Sequence, residues 1–309
     1  MQINTLNNNP KTVMDCDIKD SSGLNDFQKL PNQSGVAIPK VGIERFRVPL
    51  TFRHADGSLL NHDSEASMYS YLSGEKTGVN MSRFCSILQE VASDHPVDND
   101  FFAKVLERYR WELRDYDTEA PVDGVYLKLK FNYPLKQPSL RSENWGWQYY
   151  QCEMAGMTDK SGKVRMDTTI NFEYSSTCPC SLSMAKQYEK DFKEGRTSEG
   201  SGVAAAHGQR SLCTLRVTYD VEDNVKIEEI VELLRKALPT ETQSLVKRQD
   251  EQAFAILNGA NPMFVEHATR RLSVVLDTDA RILDWEASVE HFESLHSHNA
   301  VAYIRKERN

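Results

Sequence analysis

Asp167-Thr-Thr-Ile-Asn-Phe-Glu-Tyr-Ser-Ser-Thr-Cys-Pro-Cys-Ser-Leu-Ser183 is the stretch from which the rest of the chain can be read. Residues 167–176 read as a strand and residues 181–193 as a helix. Cys178, Pro179 and Cys180 stand at the junction. A helix start carries unpaired N–H groups and the positive end of the helix dipole. A thiolate is favoured there, and a thiolate is the form that binds metals and attacks electrophiles.

Working outward, the chain alternates short blocks of strand and helix. Residues 41–52 alternate apolar and polar side chains, as a half-buried strand does, and Asp56-Gly57 marks a turn. Residues 66–72 are a second strand. Residues 80–93 have helical periodicity, with Phe84, Ile87, Leu88 and Val91 on one stripe, and a second helix covers 98–114. Strands are predicted at 124–133, 145–155 and 163–174. After the cysteines come a Gly/Ser-rich loop at 194–206, read as mobile, and a strand at 209–221. Helices are predicted at 226–238, 249–258 and 262–276, and closing strands at 281–293 and 299–305. Strand groups bordered by paired helices indicate an α+β architecture rather than a doubly wound parallel sheet. No glycine-rich phosphate loop of the Walker or dinucleotide type occurs. Residues 1–38 are polar and read as a flexible arm.

The 309 residues suffice for two domains and a sizeable core. A net charge of −8 argues against nucleic-acid or membrane-surface binding. The six cysteines show no framework spacing, and a bridge across the single residue between Cys178 and Cys180 would be strained. These features, with no signal-peptide core and no long apolar run, point to a reduced, cytoplasmic setting.

Four clusters carry residues suited to chemistry: Cys178/Cys180; His207 in Ala-His-Gly-Gln-Arg-Ser211; Glu251 in Lys247-Arg-Gln-Asp-Glu251; and Glu293, His296 and His298 in Glu-Ser-Leu-His-Ser-His298. Taken singly, each has a plain structural reading, such as a solvated charge run for 247–251. On a strand, His296 and His298 would share a face. A mixed Cys/His/Glu set suits zinc or another borderline divalent ion. Fewer than four fixed ligands would leave a position open for water.

Ser-Thr-Cys-Pro-Cys-Ser, Ala-His-Gly-Gln-Arg-Ser, Lys-Arg-x-Asp-Glu, Asn-Pro-Met-Phe-Val-Glu and Glu-Ser-Leu-His-Ser-His-x-Ala, in that order, resemble the type IB GTP cyclohydrolases of the tunnelling-fold superfamily. The resemblance runs from about Val41 to the C-terminus. It implies two tandem tunnelling-fold units (39–165 and 166–309), with antiparallel sheets and paired helices on one face. It implies conversion of GTP and water to 7,8-dihydroneopterin triphosphate and formate, the first step toward folate, by a hydrolase acting on cyclic amidine C–N bonds. It further implies a homotetramer with interfacial sites, and zinc, manganese or iron as the metal. By position, Cys178, Glu251 and His296 match metal-binding residues, with Glu293 beside them as ligand or supporting carboxylate and His298 in support. Cys180 matches a cysteine facing the purine, and His207 the site histidine, ligand or acid/base. Glu266 matches the glutamate that reads the guanine edge. Arg210, Lys247, Arg248 and Arg83 neighbour the motifs and are candidates for holding the triphosphate.

These residue types suit the chemistry. C8 of guanine is a poor electrophile, so a metal-activated water and protonation of N7 by His207 or Cys180 would both help. A buried Glu266 carboxylate would accept the guanine N1 and N2 hydrogens and reject adenine, which lacks them. Two other readings fit the bare residues. One is a non-enzymatic protein with a closed site of Cys178, Cys180, His207 and His296. The other is a tunnelling-fold enzyme acting on a pterin or deazapurine with Cys180 as nucleophile.

Overall fold

The computed structural model describes residues 18–20, 22–26, 28, 30–32, 34–114 and 119–307. Much of the expected polar arm, residues 1–17, lies outside them. Farther along the arm, Gln28 donates to Val79 O (3.0 Å) and Asn32 to Gly74 O (2.8 Å).

Eight strands follow in chain order: β1 (Ile38–Arg53), β2 (Leu59–Leu72), β3 (Val125–Pro138), β4 (Trp145–Thr158), β5 (Val164–Thr177), β6 (Gly208–Asp220), β7 (Asp284–His291) and β8 (Ala300–Arg305). Each pairs with its chain neighbours, in the order β1 to β8, and β5–β6, β6–β7 and β7–β8 are antiparallel. Six α-helices accompany them among the described residues: α1 (Met81–Asp94), α2 (Asn99–Glu112), α3 (Pro179–Lys193), α4 (Ile227–Ala237), α5 (Arg248–Ala260) and α6 (Val265–Leu276). The class is α+β, as predicted. By contacts the chain divides into two compact units, one of residues 1–48, 65–128 and 156–164, the other of 49–64, 129–155 and 165–309.

In the first unit α1 and α2 share a core. The predicted stripe Phe84, Ile87, Leu88 and Val91 is buried, as are Phe101, Phe102, Val105, Leu106 and Tyr109 of α2. Tyr109 packs edge-on against Phe84, with centroids 5.2 Å apart, and donates to its carbonyl at 2.9 Å. Asp98 caps α2 by accepting from Phe101 N at 3.0 Å. Arg83, a phosphate candidate by sequence, instead donates to Glu112 O at the end of α2 (2.8 Å).

The second unit explains the alternation seen in residues 209–221. Cys213, Leu215, Val217 and Tyr219 of β6 face inward with Ile170, Phe172 and Tyr174 of β5 and Trp285 and Val289 of β7, all essentially inaccessible. Ile230, Val231 and Leu234 of α4 and Ala268 and Leu272 of α6 are buried as well, and α6 packs on α4 and β7. Burying each of the aliphatic and phenylalanine side chains larger than alanine is worth about 1.5–3 kcal/mol. The outer face is polar. Arg216 bridges Asp167 (3.1 Å) and Glu286 (3.0 Å), and Thr214 donates to Asn171 (2.9 Å).

Several predicted boundaries differ, two of them near the C-terminal strands and helices. The strand expected at 281–293 begins at Asp284, because Arg281 folds onto Asp279 (Nη2 2.7 Å) and Ile282 N bonds Asp279 O (3.1 Å), making a turn. The helix expected from 262 begins at Val265, because Met263 N is spent on Thr177 O (3.0 Å).

A buried imidazole pair joins the β1–β2 turn to α4 within the second unit. His54 Nε2 lies 3.3 Å from His62 Nε2, and His54 stacks on Tyr133 at 4.2 Å between centroids. Glu228 Oε1 accepts from Ala55 N (2.8 Å) and Tyr133 Oη (2.7 Å) and lies 3.7 Å from His54 Nδ1. Burial lowers both imidazoles, that of His62 to about 4 with the His54 charge adding to the effect; for His54, Glu228 and Asp56 pull the other way.

Two outcomes are expected. In the first unit, a Cβ at Gly42 would sit 1.9 Å from Met68 O, so Gly42→Ala should cost at least about 1–3 kcal/mol, read by urea unfolding. The histidine pair binds protons more readily in the unfolded chain. Its stabilising contribution is therefore complete above about pH 6.5 and is lost as pH falls toward the folded His62 value of about 4. The melting temperature should drop across that window, and His62→Gln should remove part of the slope.

Candidate active site

Cys178 is the N-cap of α3, with extended backbone (φ −66°, ψ 120°), and Pro179 occupies the first helical position. Proline suits that position because its missing N–H would have no helical partner. The helix thus begins two residues before the predicted 181. Cys178 is half-buried and Cys180, in the first turn, is exposed.

The β5–β6 ladder ends at Thr177 opposite Gly208, and one rung further Cys178 N donates to His207 O at 3.1 Å. α3 leads away from this point, and the long 194–206 segment runs from its far end back to His207 beside Cys178. Its glycines Gly195, Gly200 and Gly202 take positive φ. Tyr188 of α3 bonds Glu199 O and receives Gly202 N at 3.1 Å.

His207 is held on several sides. Its N–H donates to Ser181 Oγ at 3.1 Å. Its Nδ1 lies 3.2 Å from Gln209 Oε1 and 3.9 Å from Glu293 Oε2. Glu293 is brought there by the end of β7, where Phe292 N bonds Arg210 O (3.1 Å) and Glu293 N bonds His291 O (2.9 Å). His291 is buried, with Nε2 2.8 Å from Tyr174 Oη. Burial pushes its imidazole down to about 4, against the pull of the Glu266 carboxylate.

Cys178, His207 and Glu293 are thus gathered where β5, β6 and β7 end, and the Met263–Thr177 bond brings the Asn-Pro-Met-Phe-Val-Glu motif to the same end. Glu266 is exposed in the first turn of α6. The remaining predicted residues stand apart in their contacts. Glu251, Lys247 and Arg248 are exposed at the start of α5. Arg210 is exposed, 3.7 Å from Glu173. His296 and His298 do not share a strand face; they lie in the bend between β7 and β8, exposed, with rings stacked at 5.0 Å. Among the described residues no group of three or more His, Cys, Asp or Glu is close enough together to hold a metal ion.

Sequence reasoning missed several supporting residues. Asp250 is not part of a solvated run but fully buried. It accepts from Ser142 Oγ (2.6 Å), Ser142 N (2.8 Å), Arg141 N (2.7 Å) and Lys247 N (2.8 Å), which pins the start of α5 beside Glu251. Burial alone would raise its carboxyl; these hydrogen bonds overcome that and hold it well below the usual range. Ser176, Gln209 and Ser211 are also buried. Their signal was legible as polar side chains on the inward register of two core strands.

Residues 24–302 match the family described as type I GTP cyclohydrolase folE2. The GTP cyclohydrolase FolE2 of Cereibacter sphaeroides is 38% identical over 267 residues, spanning 86% of this chain and 70% of the relative. That of Dinoroseobacter shibae is 36% identical over 297 residues, 94% of this chain and 76% of the relative. Among solved structures, a hyper-thermostable uricase mutant superposes with a TM-score of 0.51 at 10% identity, covering 87% of this chain and 91% of its own. That likeness shows the fold alone. The matches over most of the chain make it a member of the type I GTP cyclohydrolase FolE2 family.

Proposed function

We propose that the ends of β5, β6 and β7 form the site at which this chain carries out the GTP cyclohydrolase reaction of its family. GTP is hydrolysed at guanine C8 to 7,8-dihydroneopterin triphosphate and formate, the first step toward folate. The observation that carries the assignment is the 3.1 Å bond from Cys178 N to His207 O. Across α3 and the 194–206 loop it brings the thiol pair to the site histidine, whose ring faces Glu293.

The donor types fit a divalent ion. Cys178 offers a thiolate, His296 an imidazole, and Glu251 and Glu293 carboxylates, a mixed set suited to zinc, manganese or iron. Such an ion supplies Lewis acidity that makes a water nucleophilic near neutral pH. The side chains divide the other tasks. Cys180, exposed on the first turn of α3, faces the purine, and His207 moves a proton at N7 or serves as a ligand. Glu266 accepts hydrogens from the guanine N1 and N2 edge, which excludes adenine. Arg210, Lys247 and Arg248, all exposed, meet the triphosphate.

The finer architecture belongs to the same reading: two tandem tunnelling-fold units, residues 39–165 and 166–309, with paired helices on one face, assembled as a homotetramer with interfacial sites. The exposure of Glu251, Glu266 and His296 on the single chain supports this, since ligands contributed to a shared site are exposed before assembly. Free cysteines among the described residues support a reducing, cytoplasmic setting. No helix of the described residues is long and apolar enough to cross a membrane.

Purified protein loaded with zinc, manganese or iron should release formate from GTP and yield a pterin that fluoresces after oxidation; no product with any of the three ions would sink the site assignment. Cys180→Ala should keep the fold and the metal while activity falls about 100-fold or more. Loss of both metal and fold in that variant would favour a closed Cys/His site instead. Cys178→Ala should lose the metal. Glu266→Gln should raise the KM for GTP at least about 10-fold, the loss of a charged acceptor from a paired hydrogen bond. Native mass spectrometry decides the tetramer.

A further inference from the structure

Apart from the buried hydroxyl pair of Thr168 and Tyr219, the inward faces of β5 and β6 are apolar until their last rungs near the site. There Phe172, Cys213 and Leu215 give way to Ser176, Gln209 and Ser211, with Ser176 and Ser211 inaccessible and Gln209 9% exposed. A buried polar group is costly unless it is paired, and these are paired in a chain. Ser211 Oγ lies 2.8 Å from Ser176 Oγ, Gln209 Nε2 donates to Ser176 Oγ at 2.9 Å, and Gln209 Oε1 lies 3.2 Å from His207 Nδ1. The chain ends on the one ring nitrogen that also has the Glu293 carboxylate 3.9 Å away.

We propose that Gln209, oriented by Ser176 and Ser211, is a positioning residue that fixes His207 as its Nδ1–H tautomer and leaves the Nε2 lone pair as the working nitrogen. This rests on the reading of His207 as the site histidine.

The two neighbours of Nδ1, an amide oxygen and a carboxylate oxygen, are both acceptors. A proton on Nδ1 is donated to the Gln209 oxygen and is favoured by the nearby carboxylate charge; a lone pair there would face two acceptors. Turning the Gln209 amide over would give Nδ1 a donor, but it would also leave the ring lone pair beside Glu293 and cost the amide its donation to Ser176. The backbone of His207 is fixed independently, through its N–H to Ser181 Oγ and its carbonyl to Cys178 N, both 3.1 Å. What remains free in His207 is the ring, and Gln209 sets it. In a neutral imidazole the nitrogen opposite the N–H is the acceptor. Nε2 therefore presents a lone pair, able to bind a cation or to take up a proton from solvent that it then passes to N7.

The experiment uses 15N-histidine-labelled, metal-free protein, with the His207 resonance identified by its loss in His207→Gln. Long-range 1H–15N spectra distinguish the two tautomers directly. Wild type should show Nδ1–H. Gln209→Met, which keeps the length and removes the acceptor, should shift His207 toward Nε2–H. It should also lower kcat about 10–100-fold, the usual scale for a residue behind a working histidine, with KM for GTP changed less than about twofold. Gln209→Glu, which restores an oxygen at Nδ1, should return the ring to Nδ1–H and recover most of kcat. Nε2–H in the wild type, or an unchanged tautomer and kcat in Gln209→Met, would overturn the assignment. So would a Gln209→Glu variant that matches Gln209→Met in both readouts. If Gln209→Met does not fold, the wild-type and Gln209→Glu spectra still decide. The spectra are taken without GTP, so a protein that holds the Nδ1–H ring yet makes no pterin refutes the reaction and not the tautomer.

Discussion

Everything proposed for this chain depends on the last rungs of one antiparallel pair. From Arg165 opposite Asp220 to Thr177 opposite Gly208, β5 and β6 run in unbroken register. Side chains in such a ladder alternate faces, so a slip of one residue would move every one of them. The register is held by Ile170, Phe172, Cys213, Leu215 and Val217, which have no alternative place to be buried. The strand core thereby fixes Cys178 and His207 relative to each other before any polar contact is counted. Met263 adds the third element by giving its N–H to Thr177 O.

Much of this was legible from residue order. The alternation in β6, the stripe on α1 and the change from strand to helix at the cysteines all have a strong local cause, because burial of one face imposes a period. The order of motifs also pointed to the proposed site. What periodicity could not supply was how side chains far apart in sequence meet. His296 and His298 have strand spacing yet sit in a bend. Asp250 looks solvated among charges, but four donors from Ser142, Arg141 and Lys247 draw it inside, two of those residues more than a hundred positions upstream. Gln209 looks like one more polar residue beside a histidine until its inward register is known.

The interior of the second unit changes character toward the site. Hydrocarbon around Leu215 and Phe172 gives way to hydroxyl and amide at Ser176, Ser211 and Gln209, then to imidazole at His291 and His207. Ser176, Ser211, Gln209, His207 and His291 each have a named partner. Paired polar groups hold one arrangement more narrowly than packed hydrocarbon does, because a wrong arrangement leaves a donor or acceptor unmet. An apolar core carrying a polar rim at its working end suits a site that must place protons as well as side chains.

The return of the chain from Cys178, through α3 and residues 194–206, to His207 has a further implication. Since Cys178 N and His207 O are already bonded, α3 and the segment after it together close a loop whose two ends are fixed by the sheet. The entropy of closing such a loop rises only logarithmically with its length, about 0.6 kcal/mol for each doubling. The loop can therefore lengthen or shorten over generations while the atoms at its base stay where they are. For the engineer it is a ready insertion point, where a reporter peptide could be spliced between Glu194 and Ala206 at little thermodynamic expense.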